Sequence, residues 1–100
     1  MNVLIVGVGL IGGSFALALR EHGLAARIDG VELSEEHARR ALERGLVDRI
    51  VTLDEGLPAA DLVVLATPVD TIPLLTVKIL NRIAPHQIVM DTGQIGRAHV

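Results

Sequence analysis

The sequence predicts an α/β domain, a doubly wound parallel sheet of about five strands with helices on both faces. Three observations predict it. Short apolar runs alternate with longer helix-forming stretches along the 100 residues, the pattern of parallel strands joined by crossover helices. Ala, Val, Leu and Ile supply the core and Phe15 is its single aromatic residue, as expected of strands buried on both faces. A glycine-rich turn, Gly7-Val8-Gly9-Leu10-Ile11-Gly12, separates the first strand from the first helix.

Each element follows from local chemistry. Residues 3–6 form a short apolar run closed by Gly7, a buried strand. Residues 11–21 are small or helix-forming, and Gly23 stops them. A second strand covers 27–32, with Gly30 a weakness inside it. Ser34 is a suitable N-cap, and Glu35 and Glu36 suit the first turn of the helix it opens. Ala38, Ala41 and Leu42 fall on one face of that helix, with charges on the other, and Gly45 is placed to end it. A third strand is expected over 49–53 and a short connection or single helical turn over 54–60. Residues 62–66 make the most strand-like run, closed by Thr67 and Pro68. Asp70 caps the next helix, with Pro73 tolerated in its first turn. Ile72, Leu75, Ile79 and Ile83 share one face of it, and Leu74, Val77 and Leu80 widen that stripe. Pro85 ends the helix, a fifth strand covers 88–91, and residues 93–100 carry weak signals. Right-handed crossovers then give the strand order 3-2-1-4-5.

Composition excludes several classes of function. Net charge is −3, with a pI near 5.7, which speaks against a nucleic-acid partner. Arg39, Arg40 and Arg44 cluster, but Glu35, Glu36 and Glu43 lie among them. Glu35–Arg39 and Glu36–Arg40 have the favourable helical spacing, so a solvated face is expected. With no cysteine, disulfides, thiolate nucleophiles and cysteine zinc sites drop out, and a cytoplasmic location is expected. The apolar N-terminal run is short, broken by glycines and without a charged lead, so neither a signal peptide nor a membrane partner is expected. Half of the residues are apolar and mean hydropathy is +0.50, high for so small a domain. Part of that surface is expected to meet a further domain or a second copy, through the 72–83 helix or the fifth-strand edge, making the chain a homo-oligomer.

The glycine turn carries the chemistry. It follows a strand and opens a helix inside a βαβ unit, the context that gives G-x-G-x-x-G its meaning and marks a Rossmann-type fold. Gly7 permits the tight turn, Gly9 lets backbone approach a pyrophosphate, and Gly12 lets the helix pack on the sheet. The first-turn N–H groups of that helix then face an anion. Glu32 ends the second strand twenty positions after Gly12. An acid there accepts hydrogen bonds from the adenosine ribose and repels a 2′-phosphate, and Leu33 and Ser34 follow it rather than an Arg. The expected cofactor is therefore NAD rather than NADP. Asp29 sits mid-strand and is not the acid in question. Thr67 and Pro68 leave the fourth strand beside the first, where open α/β sheets bind ligands, and are expected on the nicotinamide side. The expected cofactor-binding residues on this reading are Gly7, Gly9, Gly12, Glu32, Leu33, Thr67 and Pro68. His22, His37 and His86 read as surface residues and His99 is unconstrained, so no catalytic residue is assigned. Asp61 and Asp91 read as structural or as caps. No metal-ligand spacing and no nucleophile triad occurs.

The run Val6-Gly7-Val8-Gly9-Leu10-Ile11-Gly12-Gly13-Ser14 resembles the opening of the prephenate dehydrogenase family. Gly30-Val31-Glu32 resembles the family's second-strand ending, usually Asp at the acid. Gly45-Leu46-Val47-Asp48 resembles its next helix exit, and Asp61 to Asp70 its fourth-strand signature. The resemblance covers about residues 1–93. It implies NAD- or NADP-dependent oxidative decarboxylation of prephenate or arogenate in tyrosine biosynthesis. It also implies cofactor contacts at Gly7, Gly9, Leu10, Ile11, Gly12, Glu32, Thr67 and Pro68. Family members continue into a helical C-terminal domain that completes the substrate pocket, forms a dimer and carries the catalytic His. The expectation is thus a single cofactor domain over 1–100 with that second domain absent, binding NAD but inactive alone. One departure stands out: where the family shows Asp-x-Gly-Ser-x-Lys, this chain has Asp91-Thr92-Gly93-Gln94-Ile95-Gly96. The alternatives are the cofactor domain of another NAD(P)-dependent dehydrogenase, or a stand-alone nucleotide-binding or redox-sensing module.

Overall fold

The computed structural model describes residues 1–67 and 77–92. Five parallel strands, β1 (Asn2–Val6), β2 (Arg27–Val31), β3 (Arg49–Ile50), β4 (Leu62–Leu65) and β5 (Ile88–Asp91), pair in the order β3-β2-β1-β4-β5, as predicted. Helix α1 (Leu10–Glu21) links β1 to β2, α2 (Glu35–Glu43) links β2 to β3, and the single turn α3 (Leu53–Gly56) precedes a 3-10 turn at Leu57–Ala59. Residues 77–80 are helical and lead towards β5. The expected cap at Asp70, the first-turn Pro73, the positions Ile72, Leu74 and Leu75, and residues 93–100 lie outside the described residues.

Alternation along the strands divides the core in two. Val3 and Ile5 of β1 and Leu62 and Val64 of β4 join Ala16, Leu19 and Ala41 on one face. Leu4, Val6, Val63 and Leu65 point the other way and join Leu57, Ile79 and Val89. Successive side chains of a strand point to opposite faces, so a central strand apolar at every position needs cover on both sides.

Helix ends follow the sequence signals. Ser34 Oγ accepts from the His37 N–H (3.3 Å). At the far end of α2, Gly45 has φ +66° and the N–H groups of Gly45 and Leu46 return to the carbonyls of Leu42 and Ala41, closing the helix with a Schellman-type pair of bonds.

Four local expectations are corrected. The third strand stops at Ile50 rather than 53, because Thr52 and Glu55 form a capping box that turns Leu53 into the first residue of α3. The second and fourth strands end one residue early, at Val31 and Leu65. Leu42 is exposed, and Ala41 alone of α2 is fully buried. Arg39 pairs with Glu43 (3.8 Å), whereas Arg40 takes Glu36 as expected (2.6 Å). In the 77–80 helix Ile79 is buried while Val77 and Leu80 face outward, so the wider stripe is partly uncovered. Among the described residues no helix is long and apolar enough to cross a membrane.

Candidate dinucleotide site

β1 lies between β2 and β4, with Val6 level with both Val31 and Leu65. The chain leaves all three strands at one edge of the sheet. Gly7 to Gly9, Glu32 to Ser34, and Ala66 to Thr67 therefore meet at the point where strand order reverses, the usual ligand crevice of an open α/β sheet.

Each glycine of the turn has a distinct environment. Gly7 has φ +94°, and a Cβ there would stand 2.9 Å from the Ala66 carbonyl carbon and oxygen. At Gly12 a Cβ would overlap the Gly7 carbonyl oxygen and crowd Ile5 (3.2 Å). Gly9 differs: nothing lies within 4 Å of its Cβ position, so the fold itself has no steric need for glycine there. Gly9 is also the N-cap of α1, with no side-chain cap and no acid in the first turn. By contrast α2 and α3 are both capped by hydroxyls and carry acids in their first turns. The positive end of α1 is thus left for an outside anion.

Glu32 stands just beyond β2, its side chain 12% exposed. Its Oε1 accepts from the Val8 N–H (2.8 Å) and its Oε2 from the Ser34 N–H (2.9 Å). Each carboxylate oxygen retains acceptor capacity for a further donor. His37 Nδ1 lies 3.8 Å from Oε1. Asp29 is buried against Arg27 and Arg49, well inside the strand, as its position in the sequence suggested.

The remaining expected residues form a rim. Leu10, Ile11 and Leu33 are 87%, 55% and 98% exposed, unusually open apolar side chains around a polar turn. Thr67 packs beside Gly7, and its Oγ1 is buried without a hydrogen-bond partner among the described residues. Pro68 lies outside them. Thr92 closes the β5 side, its N–H and Oγ1 both donating to the Leu65 carbonyl (2.9 and 3.0 Å).

Sequence reasoning missed three features. One is the pair of backbone donors on Glu32. The second is a groove of about 490 Å³ between α1 and α2, running from Gly9 and Leu10 past Ser14 and Leu17 to His37 and Arg44. His37 is exposed, as read from the sequence, and lines that groove. The third is Gly30: a Cβ there would meet Val8 Cγ2 at 2.8 Å, so the missing side chain makes room for the glycine turn. His22 and His86 are exposed and distant from the turn in sequence, and His99 lies outside the described residues. Asp61 has the structural role expected, its Oδ2 accepting from the Asn2 N–H (2.8 Å). Among the described residues no group of three or more His, Asp or Glu gathers to hold a metal ion.

Comparison with known proteins agrees with this fold. The family model described as "Prephenate dehydrogenase, nucleotide-binding domain" matches residues 15–99. That span begins after the glycine turn, so the match and the turn are separate observations. Prephenate dehydrogenase of Bacillus subtilis (strain 168) is 34% identical over 94 residues, which is 92% of this chain and 25% of that protein. The Lactococcus lactis subsp. cremoris (strain MG1363) enzyme is 37% identical over 83% of this chain and 22% of its own length. The chain thus spans about a quarter of these relatives. Among solved structures, prephenate dehydrogenase from A. aeolicus, in complex with hydroxyphenyl propionate and NAD+, superposes with a TM-score of 0.80 at 34% identity, over 91% of this chain and 32% of that one. Synechocystis arogenate dehydrogenase gives 0.78 at 34% identity, over the same shares. With the fold, the switch-point crevice and a family match over most of its length, the chain belongs to the prephenate dehydrogenase family, in that family's nucleotide-binding domain.

Proposed function

We propose that this chain binds NAD for an oxidoreductase that oxidatively decarboxylates prephenate or arogenate in tyrosine biosynthesis. The observation that carries the reading is the uncapped N-terminus of α1 at the open Gly9, flanked by the Glu32 carboxylate at the exit of β2. The first-turn amides of α1 would hold the pyrophosphate, with Gly9 as the point of closest approach. Glu32 would accept from the adenosine ribose hydroxyls and disfavour a 2′-phosphate, while Leu10, Ile11 and Leu33 would cover apolar parts of the dinucleotide. Thr67 Oγ1, buried and unpartnered among the described residues, would meet the nicotinamide half together with Pro68. Bound NAD supplies the hydride acceptor. None of this chain's residues is assigned proton transfer, and the substrate pocket is left to a further domain.

Isothermal titration with NAD and, separately, NADP tests the reading. Tighter binding of NAD is expected. Tighter binding of NADP would overturn the role of Glu32, and binding of neither would overturn the dinucleotide reading for this chain. The reading includes self-association, supported by exposed Val77 and Leu80 and by Ile88 on the edge strand, and a cytoplasmic setting, supported by the absence of cysteine. A sedimentation mass that stays monomeric at all concentrations would refute the former.

A further inference from the structure

Reading a ribose needs one face of a carboxylate, yet both oxygens of Glu32 are engaged by backbone. Val8 N–H belongs to the glycine turn and Ser34 N–H to the link into α2, so one side chain ties two separate segments together. Val8 is held from its other end too, its side chain 4% exposed in the core and seated in the space left by Gly30. At Gly9 the Cβ position faces open space, so no side-chain packing fixes the turn there. Gly9's carbonyl in turn receives the Gly13 N–H (2.8 Å) and starts α1. Besides the packing of Gly12 on the Gly7 carbonyl and Ile5, the anion-facing amides are thus tied through Gly9 and Val8 to Glu32.

We infer that Glu32 is a positioning residue, which holds the glycine turn in its dinucleotide-ready shape before any dinucleotide arrives, as well as a reader of the ribose. The inference rests on the proposed function for the identity of the ligand, but not for the state of the unliganded turn. A carboxylate accepting from backbone N–H makes a charge-assisted bond, stronger than a neutral one, and pre-ordering a loop lowers the cost of binding to it. One consequence is that cofactor preference cannot be exchanged at Glu32 alone. Removing the acid removes the repulsion of a 2′-phosphate but also slackens the amides that both dinucleotides need.

The test uses E32A and E32Q, the latter keeping one oxygen to accept from Val8. The first measurement is amide hydrogen exchange in the unliganded chain. E32A is expected to speed exchange at Gly13, which Glu32 does not touch, while Leu24, bonded to the Leu19 carbonyl at the far end of α1, stays protected. E32Q is expected to fall between E32A and wild type. The second measurement is binding of NAD, of NADP, and of 2′,3′-dideoxyadenosine 5′-diphosphate, which lacks the hydroxyls Glu32 would read. On the positioning account E32A weakens the dideoxy nucleotide by on the order of tenfold, the value of one charge-assisted bond, and gains nothing for NADP. Unchanged exchange at Gly13, unchanged dideoxy binding or a gain for NADP would each overturn it. If the wild type binds none of the three, the proposed function falls and exchange at Gly13 alone decides this inference. If E32A does not fold, E32Q carries the same comparisons.

Discussion

Replacing Gly9 by alanine separates a glycine that the fold needs from one that a ligand needs. Gly9 has φ −84° and ψ −151°, extended backbone with a negative φ, and an added methyl meets nothing within 4 Å. The cost to the free protein is then only that of a poorer N-cap, about 1 kcal/mol, or a fall in melting temperature of about 4–8 °C for a domain of this size. Gly12→Ala is the contrast. Its methyl would overlap the Gly7 carbonyl oxygen, the backbone must move, and a cost of about 1–3 kcal/mol or more is expected from overpacking. For binding the order reverses. A methyl on Gly9 stands between the α1 amides and a pyrophosphate, and losing one or two charge-assisted bonds, each about 1.5–3 kcal/mol, weakens NAD at least tenfold. The assay is thermal melting of both variants followed by calorimetric titration of Gly9→Ala with NAD. Wild-type affinity in a folded Gly9→Ala would refute the argument, because the dinucleotide would then not cross this turn. A loss of stability as large as that of Gly12→Ala would refute the claim of open space.

Further outcomes follow from other contacts. Gly30→Ala places a methyl 2.8 Å from Val8 Cγ2 and 3.2 Å from Ile50 and Val47; it should cost about 1–3 kcal/mol in denaturant unfolding and also weaken NAD, since Val8 leads into the turn. Gln87 is buried, its Nε2 donating to the Leu57 and Ala60 carbonyls (2.7 and 2.6 Å) and its Oε1 accepting from the Ala84 N–H (2.8 Å); Gln87→Ala leaves these groups unmatched, and urea unfolding should show a loss of about 2–4 kcal/mol with no change in ligand preference. Asp48 is held below the usual carboxylate range chiefly by the Ile28 N–H, with Arg20 adding to it against the opposing effect of burial. Because the folded value lies below the unfolded one, the unfolded chain binds more protons in acid. The contribution of Asp48 is present above its ordinary pKa near 3.8 and fades as pH falls through the lowered value. Melting curves of Asp48→Asn between neutral and acid pH should show a shallower acid decline than wild type, and an equal decline would count against the assignment.

Much of the fold was legible because it depends on neighbours in the chain. Apolar runs of strand length, interrupted by helix-forming stretches, led to the sheet order 3-2-1-4-5, and Ser34 and Gly45 marked the ends of α2 by their own conformational preferences. Thr52 and Glu55 carried a legible capping signal as well. It outweighed the apolar character of Val51 and Leu53, which had suggested a longer third strand, because the box satisfies the first amides of α3 locally. Arg39 illustrates a weaker rule: Glu35 and Glu43 both stand four residues away, and spacing alone does not choose between them.

At the site, the grouping of Gly7, Gly9, Gly12, Glu32 and Thr67 at one sheet edge followed from strand order, and strand order follows from periodicity. The functions of individual atoms did not. Gly30 looked like a flaw in a strand until Val8, twenty-two positions earlier, was found filling its space. Glu32 looked like a lone acid until its oxygens were found on the amides of Val8 and Ser34, and nothing in the spacing of His37 showed that this surface residue lines a groove between α1 and α2. Periodicity, backbone torsion and capping act over a turn or two and are written in adjacent residues. Steric fit and hydrogen-bond partners across the sheet depend on which distant backbones the packed strands bring within 3 Å of each other, and sequence spacing carries no record of that distance.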